Sequence, residues 1–220
     1  MKFFKYLIWF LVAVVIISIA ALVILRTKKQ EIIIIPSPIS IVTPQPISNF
    51  SLENAPSESL RGQITEMKGS VDWQGRTATG AAKIFTPITV QQGENLITEG
   101  GGSLTLVFPS ACTINFSEKT ELDIIQTLPA DIVFSQVSGV AEYLNTGSYP
   151  VDIRTSTLLT ELNGDATISR NPQKPVVTVF VKSGSAVVAY NDLKYISHEV
   201  TINAGKTFTF NYGTRKGVVK

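Results

Sequence analysis

The feature that most constrains this chain is an uncharged apolar run near its start. Tyr6–Leu25 reads YLIWFLVAVVIISIAALVIL. As an α-helix this run would be roughly 30 Å long, which matches the hydrocarbon core of a bilayer. Basic residues flank it on both sides, namely Lys2, Lys5, Arg26, Lys28 and Lys29. We therefore predict a single transmembrane helix over residues 6–25, preceded by a short cytoplasmic tail over residues 1–5.

A cleaved secretory signal is the alternative interpretation of the same run. Such signals have an apolar stretch of about 7–15 residues before a small-x-small cleavage site. Ser18-Ile19-Ala20 is a weak match to that site, but the apolar residues Leu22–Leu25 follow it. The length favours an uncleaved anchor. The flanking charges are nearly balanced, so we base the orientation on the basic start. We expect the N-terminus on the cytoplasmic side of the cytoplasmic membrane and the body on the extracytoplasmic side.

The charge balance differs between the two parts of the chain. Of the 19 Lys and Arg residues, five fall in residues 1–30, which hold no Asp or Glu; the other 14 face 17 acidic residues, a net charge of −3. The predicted exported part has no basic patch, which argues against nucleic acid as a partner. Its single Cys, Cys112, excludes an intrachain disulfide, so the fold depends on its apolar core.

A proline-rich segment over residues 26–61 follows the apolar run. Its prolines are Pro36, Pro38, Pro44, Pro46 and Pro56. Proline removes a backbone donor and disfavours helix, so this segment is predicted to be an extracytoplasmic linker. At about 3.1 Å per residue, 25 such residues reach at most roughly 75 Å. Ile32–Ile35 within it either extends the apolar surface of the anchor or pairs with another copy of itself.

Beyond the linker the hydrophobic periodicity is 2, which is typical of β-strands. Alternating runs rich in β-branched and aromatic residues recur, for example Ser103–Phe108, Cys112–Phe116 and Val177–Val181. Glycines are predicted to break the strands at ten positions: Gly75, Gly93, Gly100, Gly101, Gly102, Gly139, Gly147, Gly164, Gly184 and Gly205. We predict an all-β domain of many short strands over residues 62–211, with a C-terminal tail over residues 212–220.

Two elements recur weakly within this domain. Gly69, Gly139 and Gly184 each open a short alternating strand. In addition, Val90-x-x-Gly93-x-x-Leu96 matches Ile202-x-x-Gly205-x-x-Phe208. The spacing between the elements is not constant, so we expect an irregular β-roll or β-helix-like body and not a strict solenoid.

Four stretches of the domain resemble the FecR domain family of exported bacterial β proteins. They are ITEMKGSVDW (Ile64–Trp73), TVQQGENLITEGGGSLTLVFPSACTINF (Thr89–Phe116), VSGVAEYLNTGSYPVDIRTSTLLTELNGDATI (Val137–Ile168), and VTVFVKSGSAVVAY with VTINAGKTFTF. The resemblance covers roughly Gly62 to Asn211 and implies an exported β-roll or β-helix-like module.

The chain departs from the family pattern in three places, and we expect neither the cytoplasmic domain of the family's regulators nor the small domain that follows their β body. Pro109-Ser110-Ala111 replaces an Asp-Gly-Ser hairpin, Val151 replaces a Phe, and Asp165 replaces a Thr. The regulators that gave the family its name control a sigma factor through a cytoplasmic domain. Only five residues precede the predicted anchor, so the resemblance does not carry sigma-factor control to this chain.

No residue pattern in the domain identifies catalytic, cofactor-binding or metal-binding residues. His198 is the only His, and it is interpreted as a solvated turn residue beside Glu199. Cys112 alternates in phase with Ile114, so a small buried residue is favoured over a nucleophile. The stretch around Gly205 imitates a phosphate-binding loop but runs into a strand. Lys182-Ser183-Gly184 resembles one element of penicillin-binding enzymes, without the Ser-x-x-Lys element.

Two further groups of side chains have a structural and a functional interpretation. Glu118, Glu121 and Asp123 form either a solvated acidic corner or a weak Ca²⁺ site, and the first is favoured because their spacing fits no calcium-loop signature. Aromatic residues at period-2 positions are expected to pack in the core, with a sugar or peptide site as the alternative: Trp73, Tyr143, Tyr149 and Tyr190.

The sequence supports two function classes and makes a third remote. The favoured hypothesis is a non-enzymatic, membrane-anchored binding or sensing module that meets a protein or a cell-envelope polymer. The alternative is a structural envelope or surface component that associates through β edges. An enzyme is not expected, because no paired catalytic groups are present.

Overall fold

The computed structural model of the chain describes residues 59–147 and 149–220. The predicted tail, the predicted transmembrane helix, Ile32–Ile35 and most of the proline-rich linker lie outside the described residues. In the described ranges, no helix has the length and apolarity that a bilayer span needs.

All regular secondary structure in the described ranges is β, which confirms the predicted all-β class. The strands are β1 Gly62–Lys68, β2 Val71–Gln74, β3 Ala82–Ile84, β4 Thr89–Val90, β5 Asn95–Thr98, β6 Ser103–Phe108, β7 Cys112–Phe116, β8 Glu121–Leu128, β9 Asp131–Asn145, β10 Val151–Thr155, β11 Leu158–Asn171, β12 Val176–Asn191, β13 Ser197–Asn203, β14 Thr207–Asn211 and β15 Lys216–Val219.

The strand pairings divide this sheet into two layers. The first layer runs β3-β2-β5-β8-β9-β10-β11-β12-β13, and the second runs β4-β1-β6-β7-β9-β11-β12-β14-β15. Three strands, β9, β11 and β12, belong to both. Every described ladder is antiparallel except β9–β10, so the body is a folded-over antiparallel roll; parallel pairing of the β-helix type is confined to that one ladder.

The three shared strands are long, and each has a glycine at its bend. Gly139, Gly164 and Gly184 lie inside β9, β11 and β12, with φ of 85°, 140° and 69°. The prediction that these glycines end short strands is therefore wrong. A positive φ lets the strand turn from one layer into the other without losing its hydrogen-bonded neighbours. Local sequence could not distinguish a break from a bend, because both need the same backbone freedom.

The two layers enclose one apolar core. Inward-facing residues alternate along each strand, as in β6 (Leu104, Leu106 and Phe108), and they are almost fully buried. Phe108 of the second layer contacts Phe134 of the first, with ring centroids 5.4 Å apart. At 25 cal/mol per Å² of apolar surface, each such side chain contributes about 1.5–3 kcal/mol. The period-2 pattern thus predicts strands such as β6 and β7 together with their buried faces.

The recurring Gly93 and Gly205 elements form equivalent turns. In the first, the Glu94 amide donates to the Gln91 carbonyl at 3.3 Å, and in the second the Lys206 amide donates to Asn203 at 3.1 Å. The third residue of each turn is the glycine, with φ of 85° and 78°. A type II turn requires a positive φ at that position, which explains why glycine recurs. The weak repeat is a repeat of turn chemistry.

The sheet continues beyond the expected end of the domain. Strand β15 pairs with β14 from Phe208↔Val219 to Asn211↔Lys216. Residues 216–219, which the sequence predicts to be part of a C-terminal tail, form the edge strand of the second layer.

We expect Gly184→Ala to destabilise the fold by about 2–4 kcal/mol, because it adds backbone strain to an atomic clash. A Cβ at this position would lie 2.1 Å from the Asn163 carbonyl oxygen and 3.0 Å from Gly164 Cα. Neither contact is with a flexible side chain, so the two strands would have to separate. Urea unfolding measures the loss.

Gly205→Ala is the matched control for Gly184→Ala. Its φ is also positive, but a Cβ there meets no atom within 4 Å. Only the backbone strain remains, at about 1 kcal/mol. Equal destabilisation by the two variants would contradict the close approach of β11 and β12 at their bends.

Candidate functional site

Cys112 lies in the core. Its side chain is 1% exposed on β7, and burial raises the pKa of its thiol to about 12. The reactive thiolate is therefore disfavoured at physiological pH. The interpretation of Cys112 as a small buried residue is confirmed.

The two motifs that imitate enzyme signatures occupy structural positions. Gly205 lies in a tight turn between β13 and β14, with no helix after it, so the geometry of a phosphate-binding loop is absent at this turn. Lys182 pairs with the Glu142 carboxylate across the sheet, which lowers the pKa of Glu142. Ser183 donates to the Asp165 carboxylate at 2.8 Å beside the Gly184 bend. These contacts hold the bend in place.

The acidic corner is divided between two local networks. Glu118 accepts the Gly101 amide at 2.7 Å. Glu121 and Asp123 lie on strand β8 and not in the predicted solvated corner, and both accept the Asn95 side-chain amide, at 3.4 and 2.7 Å. Among the described residues, no three His, Cys, Asp or Glu side chains are grouped so that they could hold a metal.

The aromatic residues have different roles. Tyr143 is fully buried, and its hydroxyl donates to Gln136 Oε1 at 3.0 Å. Trp73 Nε1 donates to Glu94 Oε2 at 3.0 Å, which gives that buried carboxylate a partner. Tyr149 packs against the core cluster. Tyr190 is only partly buried, and its ring leads to the candidate site.

His198 lies on a strand and not in the turn that the sequence predicts, and its side chain is 41% exposed. It lies on β13 directly opposite Tyr190 of β12, and the two rings stack with centroids 5.2 Å apart. Its Nε2 lies 3.1 Å from Asp192 Oδ2. The prediction failed because strand pairing, which sequence does not give, places His198 beside an aromatic ring and a loop carboxylate. His198 therefore supports the loop that joins β12 to β13.

Asp192 organises that loop. Its Oδ1 accepts the backbone amides of Lys194 and Ile196, at 2.7 and 3.0 Å. With His198 as the largest contribution, these donors lower the pKa of Asp192. A side chain that caps its own following turn in this way fixes the loop conformation. Tyr195 adopts a left-handed φ of 62° within it.

The fixed loop exposes three large apolar side chains. Leu193 is 66% exposed, Tyr195 81% and Ile196 55%. We call residues 193–196 the tip. Single exposed apolar residues are normal on protein surfaces, but a contiguous group of them makes the tip a candidate interaction site. By contrast, Phe85 is 82% exposed after β3 with no exposed large apolar neighbour in its own loop.

A shallow open cleft lies beside the tip. It has a volume of about 340 Å³, and we call it the His198 cleft. Its walls come from the β10–β11 turn at Ser156 and Thr157 and from the facing residues Tyr190 and His198. The Ser197 hydroxyl donates to Asn191 Oδ1 at 2.8 Å. In the described residues the side-chain hydrogen-bond partner of His198 is Asp192. No serine or threonine hydroxyl there is hydrogen-bonded to the His198 ring.

The tip is not among the sites that the sequence patterns predict. One signal was present: Asp192-Leu-Lys-Tyr-Ile196 combines a turn-forming Asp with three large apolar residues between two alternating strands. Apolar residues at such a position are usually buried by another element. Only the strand order, which places β13 at the edge of the first layer, shows that nothing described covers them.

Comparison with known proteins gives a fold likeness only. No protein-family model and no curated protein matches the sequence, so the resemblance to the FecR family stays an interpretation of its motifs. Two crystal structures of a candidate anti-sigma factor from Parabacteroides distasonis are similar to the chain, each with a TM-score of 0.49 and 11% identity. Each match covers 57% of this chain and 58% of the other. A match this weak carries no argument about function.

Asp152 belongs to an acidic group on the outer face of the first layer. It pairs directly with Glu161 of β11. Burial, followed by the nearby carboxylates of Asp131 and Glu161, raises the pKa of Asp152 from 3.8 to about 6, and Arg154 opposes the shift. Between these two values the native state binds more protons than the unfolded chain, so stability falls as pH rises.

We expect Asp152→Asn to stabilise the fold by about 1 kcal/mol at neutral pH, a value reduced for the partial exposure of the side chain. Below the ordinary Asp pKa both forms are neutral, so the gain should vanish there. Thermal unfolding of both forms, followed from below pH 3.8 to neutral pH, measures this gain in stability. Glu199→Gln serves as control, because Glu199 is an exposed carboxylate on β13 that lies opposite Ala189 of β12. A gain that persists unchanged in acid would contradict the raised pKa.

Proposed function

We propose that this chain is a non-enzymatic binding or sensing module that contacts a partner protein through the tip. The observation that carries this proposal is the exposure of Leu193, Tyr195 and Ile196 on a turn fixed by Asp192. Burial of such side chains in a partner gives binding energy, and a fixed turn avoids the entropic cost of ordering them. Tyrosine is also enriched at protein interfaces.

The chemistry around the tip favours binding over catalysis. His198 Nε2 lies against Asp192, and the Ser197 hydroxyl donates to Asn191. A serine or cysteine nucleophile would need a base within hydrogen-bond reach. In the described residues the single Cys is buried and the His198 cleft is open to solvent. A flat, open surface suits a macromolecule better than a small substrate.

The proposed setting comes from the sequence. The apolar run at 6–25 would anchor the chain in the cytoplasmic membrane, and the proline-rich linker would hold the β body outside it. The FecR-like motifs support a role in signalling. We propose a protein partner over an envelope polymer because the tip is apolar, whereas envelope polymers are rich in hydroxyl and charged groups.

A site-specific photocrosslinker at position 193 tests the proposal in the intact chain in its host. We expect a discrete protein adduct, because the side chain would lie in the interface. Adding Asp192→Ala to the same chain should reduce the adduct several-fold, since the turn loses the acceptor of two amides.

The matched control carries the crosslinker at Lys83. This residue is exposed on β3, at the opposite end of the first layer from β13. The same adducts from positions 193 and 83, or none from 193, would refute the tip as a binding surface.

Strand β13 supports the alternative function, assembly through β edges. It pairs with β12 only, so one side of its backbone is free within the described residues. The edge strands β3 and β4 have three residues and two, but β13 has seven, without Lys or Pro. Short edges and edge lysines are the usual protection against strand addition. A second chain could therefore add to β13.

Thr201→Lys tests assembly because it places a charge on the exposed face of β13. If copies join at this edge, light scattering of the intact chain should show oligomers that the variant reduces to monomers. Gln173→Lys is the control, because Gln173 lies in the exposed turn before β12. This variant should leave the oligomers intact. A monodisperse monomer for the unaltered chain would exclude this alternative.

A further inference from the structure

A second cleft lies at the bend of β9, on a different part of the body from the tip. Its volume is about 470 Å³, and we call it the Arg170 cleft. The turn between β11 and β12 contributes Pro172 to the wall of this cleft and precedes the first residue of β12. The tip follows the last residue of β12. The cleft shares no lining residue with the His198 cleft. It is therefore an independent candidate site.

Arg170 is the central cation of this cleft. It follows Ala166 and Ile168 at period 2 on β11, and both of these are fully buried. The strand therefore turns the Arg170 side chain toward the space between the layers. Its Nη1 donates to the Gln136 carbonyl at 3.3 Å, which fixes the guanidinium beside the Gly139 bend.

The guanidinium lacks a negatively charged partner in the described residues. The ion pairs there join Lys182 to Glu142 and His198 to Asp192, and neither includes Arg170. Its Nε is buried without a hydrogen-bond acceptor. Arg170 as a whole is partly buried, and its guanidinium charge has no counter-charge among the described residues.

The surroundings of Arg170 do not supply the missing charge. No acidic residue lines the cleft, and its other polar residues include Lys119, Ser138 and Ser169. The acidic residues nearest to Lys119 in sequence already accept hydrogen bonds from other groups. Glu118 accepts the Gly101 amide, and Glu121 accepts the Asn95 side-chain amide. The lining residues thus carry two positive charges and no negative charge, and Val140, Pro172 and the carbon atoms of the other residues form most of the exposed wall.

We propose that this cleft binds a small organic carboxylate, held by the guanidinium of Arg170, with an apolar body against the rest of the wall. Guanidinium presents a planar fork that matches a carboxylate in two parallel hydrogen bonds. The apolar wall favours a carboxylate on a hydrocarbon group over inorganic phosphate.

Isovalerate, its neutral analogue isovaleramide, and inorganic phosphate are the probes. Each is titrated into the intact chain while the Nε–H resonance of Arg170 is followed by NMR. We expect isovalerate to shift this resonance saturably and to bind about tenfold more tightly than either other probe, since only it combines the charge with the apolar body. The resonance is assigned by its loss in Arg170→Lys.

Arg170→Lys keeps the charge but removes the fork, and should weaken isovalerate binding about tenfold. Arg154→Lys, the same change on an exposed strand position of β10, should leave binding unaltered. An unshifted Arg170 resonance in the native chain would overturn the proposal without any variant. Equal binding of isovaleramide or tighter binding of phosphate would equally reject an apolar carboxylate as the ligand.

Discussion

The body depends on one constraint: three strands must pair in two layers at once. The ladder between β11 and β12 continues across both layers, and Gly164 lies opposite Gly184 where it bends. Side chains at these positions would meet the backbone of the facing strand. The glycines therefore let the two strands stay in contact while they turn, and this joins the layers around a single core without a disulfide.

The positions of both candidate sites follow from that bend. Each shared strand begins in one layer and ends in the other, so its two ends lie on different parts of the body. The tip extends from the end of β12 in the first layer, and the Arg170 cleft lies where β9 bends and β11 ends. The tip exposes apolar groups on a fixed turn, whereas the cleft holds a partly buried cation. Their chemistry differs, so they suit different partners.

Sequence reasoning succeeded where the signal was local and failed where it was not. Alternation of apolar residues identified strands such as β6 and β7 and their buried faces, including Cys112, but it did not identify β8 or β13. The repeated turns at Gly93 and Gly205 were found because a type II turn needs glycine at a fixed position. The role of His198 was missed, because its ring partner Tyr190 and its carboxylate partner Asp192 come together only through the hairpin. Arg170 has no local signal at all.

The sequence by itself determined the all-β class, the core-facing residues, and the turns that require a positive φ. These properties follow from period-2 burial and from backbone sterics, which act over a few residues. Tertiary structure alone decided that three glycines bend strands and do not end them, that the tip is uncovered, and that the Arg170 guanidinium has no carboxylate partner in the described residues. Each of these depends on which strands are neighbours, and neighbours distant in sequence are fixed only when the layers pack.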